Sequence, residues 1–314
     1  MGLTVGVDVG GTKIAAGVVD DAGSILEEET EPTPATDPAA IATAIADVVG
    51  RLRRSHDIEA VGVGAAGFVD AKRSTVLFAP NISWADEPLA GRVGAHIDLP
   101  VVVENDANAA AWGEFQFGAG KDVDDLLLIA VGTGIGGGYV TENRLYRGAF
   151  GVAGEVGHLR MVPAGIRCGC GRYGCWEQYA SGQALVRQAR DRVSDELPEA
   201  AALSAVVGGD PERLTGPMVT EQAQAGDPLA RELLADIGRW LGEGIASLVT
   251  VLDPAVVVLG GGVAEAGDLI VEPARRAFAR TLPAAGHRPA PKLRTTDLGN
   301  RAGMIGAADL ARTP

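Results

Sequence analysis

Leu3–Val19, LTVGVDVGGTKIAAGVV, is the stretch whose reading decides the fold. Residues 3–7 are a short apolar run that predicts a buried strand. Asp8-Val9-Gly10-Gly11-Thr12-Lys13 is a polar, glycine-rich turn, and residues 14–19 resume as a second strand. Asp20–Gly23 turns the chain again, and residues 24–30 can form a third strand. The glycine loop therefore sits at the bend of a hairpin. A dinucleotide-binding unit or a P-loop needs a helix directly after its glycines, and a different spacing, so both fit poorly.

Outward from this hairpin the chain alternates strands and helices. Asp37 caps a helix over residues 39–54, with Pro38 at its first position and Ile41, Ile45, Val48, Val49 and Leu52 at helical spacing. A strand is expected at 58–64 and a helix at 89–97. Val101–Val103 is a compact strand that runs into Glu104-Asn105-Asp106-Ala107-Asn108 and an alanine-rich helix to about Phe117. Polar groups at the carboxyl end of a strand, where a helix begins, are a usual site position in α/β proteins. Residues 126–131, Gly132-Thr133-Gly134 and residues 135–141 then repeat the order strand, glycine turn, strand, which predicts an internal duplication. Helices are expected at 176–192, 196–207, 218–225, 228–252 and 269–282. Short strands are expected at 255–259, before Gly260-Gly261-Gly262, and at 293–295, with a helical tail at 303–310.

The formal net charge of −14 disfavours nonspecific binding to nucleic acid or anionic membranes. No apolar run reaches transmembrane length and no leader-like segment opens the chain. Three cysteines with no evident pairing fit a reducing compartment, so a cytoplasmic location is expected.

Three glycine turns, at Gly10-Gly11, Gly132–Gly134 and Gly260–Gly262, each follow a strand and can present backbone N–H groups to phosphate oxygens. Thr12 and Thr133 add hydroxyl donors, Lys13 adds a charge, and Asp8 can hold Mg²⁺. Asp106 is the candidate general base, able to accept the proton of an attacking hydroxyl. Its alternative role is to cap the alanine-rich helix. Asn105 beside it can bond sugar hydroxyls, and Glu104 is a second carboxylate that could face the same cleft. His158, Cys168, Cys170 and Cys175 gather one imidazole and all the thiols of the chain, a donor set that suits tetrahedral Zn²⁺. Four protein ligands leave no open position, which assigns the metal a structural role. Glu155 and Glu177 bracket the set and can contact a polyol together with His158.

Gly154-Glu155-Val156-Gly157-His158, followed by Cys168-Gly169-Cys170-Gly171 and Gly174-Cys175-Trp176-Glu177, resembles the ROK family of sugar kinases, bacterial glucokinases in particular. Asp8–Lys13, Glu104–Ala110 and Ala130–Gly138 extend the resemblance over nearly the whole chain. It implies an α/β, two-domain actin/hexokinase-like (ribonuclease H-like) fold. The expected division is 1–115 with 299–314 as a smaller domain and 116–298 as a larger one. It implies ATP-dependent phosphorylation of glucose to glucose 6-phosphate, with ATP, Mg²⁺ and structural Zn²⁺ as cofactors. Asp106 is the implied base, and Gly67, Asn81, Asn105, Glu155, His158 and Glu177 are implied sugar contacts. Asp8, Gly10, Gly11, Thr12, Lys13, Thr133, Gly134 and Gly261 would lie near the nucleotide. A homodimer or homotetramer is common in the family. Another hexose, an N-acetylhexosamine, a polyphosphate donor or a non-catalytic sugar sensor are the alternatives.

Overall fold

A computed structural model describes residues 2–79, 82–262 and 266–312. In its first part, strands β1 (Leu3–Val9), β2 (Lys13–Val19) and β3 (Ile25–Pro32) form an antiparallel meander. Helix α1 (Pro38–Leu52) leads to β4 (Ile58–Ala65), which pairs in parallel with β1. Three short strands, β5 (Phe68–Val69), β6 (Val76–Phe78) and β7 (Ala85–Glu87), make a small antiparallel sheet. The sequence shows no sign of this sheet, because strands of two or three residues carry no periodicity. Helix α2 (Leu89–Ile97) and β8 (Val101–Asn105) follow, with β8 parallel to β4. Helix α3 spans Asp106–Phe117.

Strands β9 (Leu126–Val131), β10 (Ile135–Thr141) and β11 (Arg144–Tyr146) repeat the meander. Glu142 and Asn143 both take positive φ in the β10–β11 turn, which Asn tolerates better than most residues. Helices α4 (Glu177–Ala180) and α5 (Gly182–Ser194) replace the single helix expected at 176–192. Ser181 is extended and its hydroxyl accepts from Ala184 N–H, so it ends one helix and caps the next. The helix expected from residue 196 begins later: Glu196 takes positive φ and Pro198 opens a 3₁₀ turn before α6 (Ala201–Val206). Helices α7 (Gly216–Ala225) and α8 (Pro228–Leu252), strand β12 (Val256–Gly260), helix α9 (Asp268–Thr281), strand β13 (Lys292–Thr295) and helix α10 (Ala302–Leu310) complete the chain.

The two large sheets have the orders β3-β2-β1-β4-β8 and β11-β10-β9-β12-β13. Each is a three-stranded meander whose first strand is joined by two later strands, so the topology occurs twice, as the strand–glycine–strand repeat suggests. Spatially the chain falls into two compact units. One comprises Met1–Leu128, Gly137–Glu155 and Thr296–Pro314; the other comprises Ile129–Gly136 and Val156–Thr295. Residues 116–128, 137–155 and 296–298 thus group with the first unit rather than the second. Glu114 of α3 explains part of this. It is fully buried, and its carboxylate accepts from Ala119 N–H, Asp297 N–H, Leu298 N–H and the Thr296 hydroxyl.

Within the first unit the sheet has two unlike faces. Val5, Val7, Val61 and Val63 pack with Ile41, Ile45 and Val48 of α1, each burial worth roughly 1.5–3 kcal/mol. On the opposite face Gly6 and Gly62 are register partners. A Cβ at Gly6 would overlap the Met304 carbonyl of α10, and one at Gly62 would overlap that of Ala307. Gly306 and Gly113 make the α10–α3 contact equally close. The missing side chains let α10 lie directly on the strands and α3 lie directly on α10.

Gly62→Val therefore destabilises the protein by at least about 1–3 kcal/mol through overpacking, measured by denaturant unfolding. Gly50→Ala is the contrasting case: it lies in α1 with nothing within 4 Å of the added Cβ and stabilises by roughly 0.5–1 kcal/mol.

Candidate active site

In the first unit, β8 delivers Glu104 and Asn105 to the start of α3, and Asp106 is the first helical residue. Asn105, not Asp106, caps the helix: its Oδ1 accepts from Asn108 N–H at 3.0 Å. The Asn105 amide also donates to the Gly67 carbonyl and to Asp106 Oδ1, each at 3.1 Å. Asp106 is thereby released from capping, and Oδ1 accepts a further bond from Ala107 N–H at 2.9 Å.

The strand geometry brings Asp8 to the same place. Asp8 lies on the glycine face of β1, opposite Gly64 of β4, and a Cβ at Gly64 would touch Asp106 Cα at 3.8 Å. Burial pushes the Asp106 carboxyl up to about 7, and the negative charges of Asp8 and Glu155 add to the rise against the Ala107 N–H. Burial also raises Asp8, with Lys13 opposing the shift. Asp8, Asp106 and Glu155 thus form one electrostatic group, and neighbouring half-buried carboxylates are a donor set that fits Mg²⁺.

Glu104 does not join this group. It is 1% exposed, and it sits against Arg147 Nε at 2.7 Å and Arg73 Nε at 3.2 Å. Its other oxygen accepts from Asn105 N–H and Asn108 Nδ2. Arg147 in turn holds the Asp70 carbonyl at 2.9 Å and the Ala71 carbonyl at 3.1 Å. Glu104 is a buried brace under the site, and its arginine partners were missed because they lie far away in sequence with no motif to join them.

The turn at Gly10–Thr12 is held by Thr33, whose hydroxyl donates to the Gly10 carbonyl at 2.8 Å and whose N–H donates to that of Thr12 at 3.0 Å. Gly11, Thr12 and Lys13 are exposed. Of the glycines singled out from the sequence, Gly67 and Gly261 need their freedom, with φ of 126° and 84°. Asn81 lies outside the described residues.

In the second unit, the turn Gly132-Thr133-Gly134 is bound to the start of α5 by Gly182 N–H to the Gly132 carbonyl (2.8 Å) and Gln183 N–H to the Thr133 carbonyl (3.2 Å). A cavity of about 1030 Å³ opens from Gly132, Thr133 and Gly262 and runs between α5 and α7. Its helical walls were not anticipated; the glycine turns mark its mouth, whereas the walls carry no motif. A cavity of this size can accommodate a nucleoside.

His158, Cys168, Cys170 and Cys175 place their ligand atoms within 4.8 Å of one another. Cys170 Sγ is 3.6 Å from Cys175 Sγ, and Cys168 Sγ is 3.7 Å from His158 Nδ1. Tetrahedral Zn²⁺ with ligand bonds of about 2.0–2.3 Å needs separations of roughly 3.5–3.8 Å; these two pairs have that spacing, and the whole set, within 4.8 Å, is compatible with the ion after a small closure. Cys168 Sγ also donates to Glu177 Oε1 at 3.0 Å. Glu177 Oε2 would lie 2.6 Å from a Cβ at Gly134. Trp176, between the last cysteine and Glu177, is buried in α8: its indole N–H donates to the Trp240 carbonyl at 2.8 Å, and a Cβ at Gly244 would strike its ring.

Comparison with known proteins agrees with this geometry. The sequence matches the ROK family over residues 4–314. It is 52% identical over 314 residues to a glucokinase of Streptomyces coelicolor, covering 100% of this chain and 99% of that one. The structure of a ROK family glucokinase from Streptomyces griseus in complex with glucose and AMPPNP matches with a TM-score of 0.92 and 51% identity over 100% of both chains. A ROK hexokinase from Thermus thermophilus matches with a TM-score of 0.82 and 39% identity, covering 99% of this chain and 98% of that one. The fold is accordingly the two-domain α/β actin/hexokinase-like (ribonuclease H-like) fold. The chain belongs to the ROK family.

Proposed function

We propose that this protein transfers the γ-phosphoryl group of ATP to the 6-hydroxyl of glucose, giving ADP and glucose 6-phosphate. The observation that carries the reading is the Asp106 carboxyl, released from capping by Asn105 and poised near neutrality beside Asp8. The likeness to glucokinases over the full chain supports the substrate pair.

Phosphoryl transfer to an alcohol needs alignment and charge compensation more than covalent help. Asp106 accepts the proton of the attacking hydroxyl as the phosphorus–oxygen bond forms. A base near pH 7 is matched to that task. Asn105 holds the Asp106 carboxylate in place, and the family resemblance adds Glu155, His158 and Glu177 as polar contacts to the sugar. Mg²⁺, when bound, neutralises phosphate oxygens; Asp8 is the residue that would hold it. Backbone N–H groups at Gly10–Thr12, Thr133-Gly134 and Gly261, with the Thr12 and Thr133 hydroxyls, compensate the rest of the phosphate charge. His158, Cys168, Cys170 and Cys175 would hold Zn²⁺, which would fix the loop that carries Glu177. A cytoplasmic location and a homodimer or homotetramer accompany this reading through the family resemblance. No helix among the described residues is long and apolar enough to cross a membrane.

The test is a sugar panel with ATP and Mg²⁺, reading phosphorylated product directly. Glucose is the preferred acceptor; a strong preference for another hexose or an N-acetylhexosamine overturns the substrate. In the same assay Asp106→Asn lowers kcat at least about 100-fold while glucose still binds.

The pH profile supplies a second check. With Asp106 raised to about 7, the carboxylate is present above that pH and lost below it. The logarithm of kcat/KM rises with unit slope to a plateau above about pH 7. Asp8→Asn moves this limb to lower pH, because a neighbouring negative charge is gone. The stability term has the opposite sense: a raised native pKa favours the fold at low pH, and that contribution is lost as pH climbs through about 7.

Metal removal gives a third. Cys170→Ser lowers zinc, measured by elemental analysis, from about one ion per chain, and raises the glucose dissociation constant before it changes ATP affinity. Full glucose affinity in zinc-free protein breaks the link between the loop and Glu177.

A further inference from the structure

Two arginines line the cavity in the second unit, Arg187 and Arg190. In a kinase a cation in such a place invites assignment as a phosphate ligand. The hydrogen bonds of Arg190 point elsewhere. Nη1 donates to Glu212 Oε2 at 2.7 Å, and Nη2 donates to the carbonyls of Glu212 at 2.7 Å and Leu214 at 3.1 Å. One guanidinium on α5 therefore grips three acceptors in the segment that leads into α7.

The segment's other bonds are local, among them Arg213 Nη1 to the Val207 carbonyl at 3.4 Å and Leu214 N–H to the Pro211 carbonyl at 3.0 Å. Pro211–Arg213 is a single 3₁₀ turn, and Asp210 caps it through one bond to Glu212 N–H. The Thr215 side chain makes no capping bond at the start of α7. Leu214 is fully buried, so its carbonyl is the natural anchor point for the wall. Arg190 also lies seven residues beyond Gln183, roughly 10 Å along the helix from the turn at Thr133. The glycine end takes phosphates; Arg190 stands at the nucleoside end.

We infer that Arg190 is a positioning residue of the nucleotide cavity: it builds the wall that α7 presents to the nucleoside, and it is not a phosphate ligand. The inference rests on this cavity being the nucleotide site. Lysine cannot replace it, because one ammonium cannot span a carboxylate and two separate carbonyls in the same plane.

The experiment measures dissociation constants of adenosine, ADP and AMPPNP-Mg²⁺, together with glucose affinity and melting temperature, for the native protein, Arg190→Met and Arg190→Lys. The expected result is a loss of about tenfold that is the same for all three ligands, as several charge-assisted hydrogen bonds allow, with glucose affinity held and the melting temperature lowered by only a few degrees. In turnover, KM for ATP rises by the same factor while kcat at saturating ATP stays. Unchanged nucleotide affinity in both variants overturns the inference. So does a loss that grows with the number of phosphates, which marks a phosphate contact, or one that takes glucose affinity with it and lowers the melting temperature beyond a few degrees. Should Arg190→Met not fold, Arg190→Lys decides the matter alone, and native affinity there overturns the proposal. Failure of the native protein to bind any of the three ligands removes the cavity assignment itself, an outcome separate from the others.

Discussion

The close approach of α10 to the glycine face of β1 and β4, and of α3 to α10, is the constraint on which the first unit depends. Gly6 and Gly62 are there because any side chain would occupy the space of the α10 backbone. The valines of the same strands point the other way and bury against α1. This asymmetry sets the height of α3 over the sheet. Through that height it sets where the first residue of α3 meets the end of β1, and so it places Asp106 beside Asp8.

Division of labour among neighbouring polar residues then produces the chemistry. Glu104, Asn105 and Asp106 are consecutive, yet each does something different. Glu104 is neutralised under the site by Arg73 and Arg147. Asn105 satisfies a helix N–H and fastens the loop at Gly67. Asp106 is left with a desolvated carboxyl and negative neighbours, which raise its pKa toward the working range of a base. Alternation along the strand and the turn into the helix send the three side chains to three environments.

The second unit shows the same economy around the zinc segment. Trp176 plugs into α8, the cysteines gather on one side of it, and Glu177 follows immediately on the other. Glu177 touches both the thiol of Cys168 and the space at Gly134. The cysteine–histidine set, Glu177 and the turn at Gly132–Gly134 are therefore packed against one another, and Gly132 and Thr133 of that turn also line the cavity between α5 and α7.

Much of this was legible in the sequence. Hairpin against strand–loop–helix at residues 3–19 excluded the common nucleotide folds, and its recurrence at 126–141 corresponds to two sheets of the same order. The cap at Asp37, the long stripe of α8 and the cysteine–histidine set could be read because they are local, periodic or rare. The β5–β7 sheet, the break at Ser181 and the late start of α6 could not, since short elements carry too few residues for a period to show. Sequence alone thus determined which chemical groups the protein owns and the order of its strands and helices. Tertiary structure decided which of the neighbouring carboxylates is braced and which is left reactive, and which arginine builds a wall, because those outcomes depend on partners such as Arg147 and Leu214 that only folding brings near.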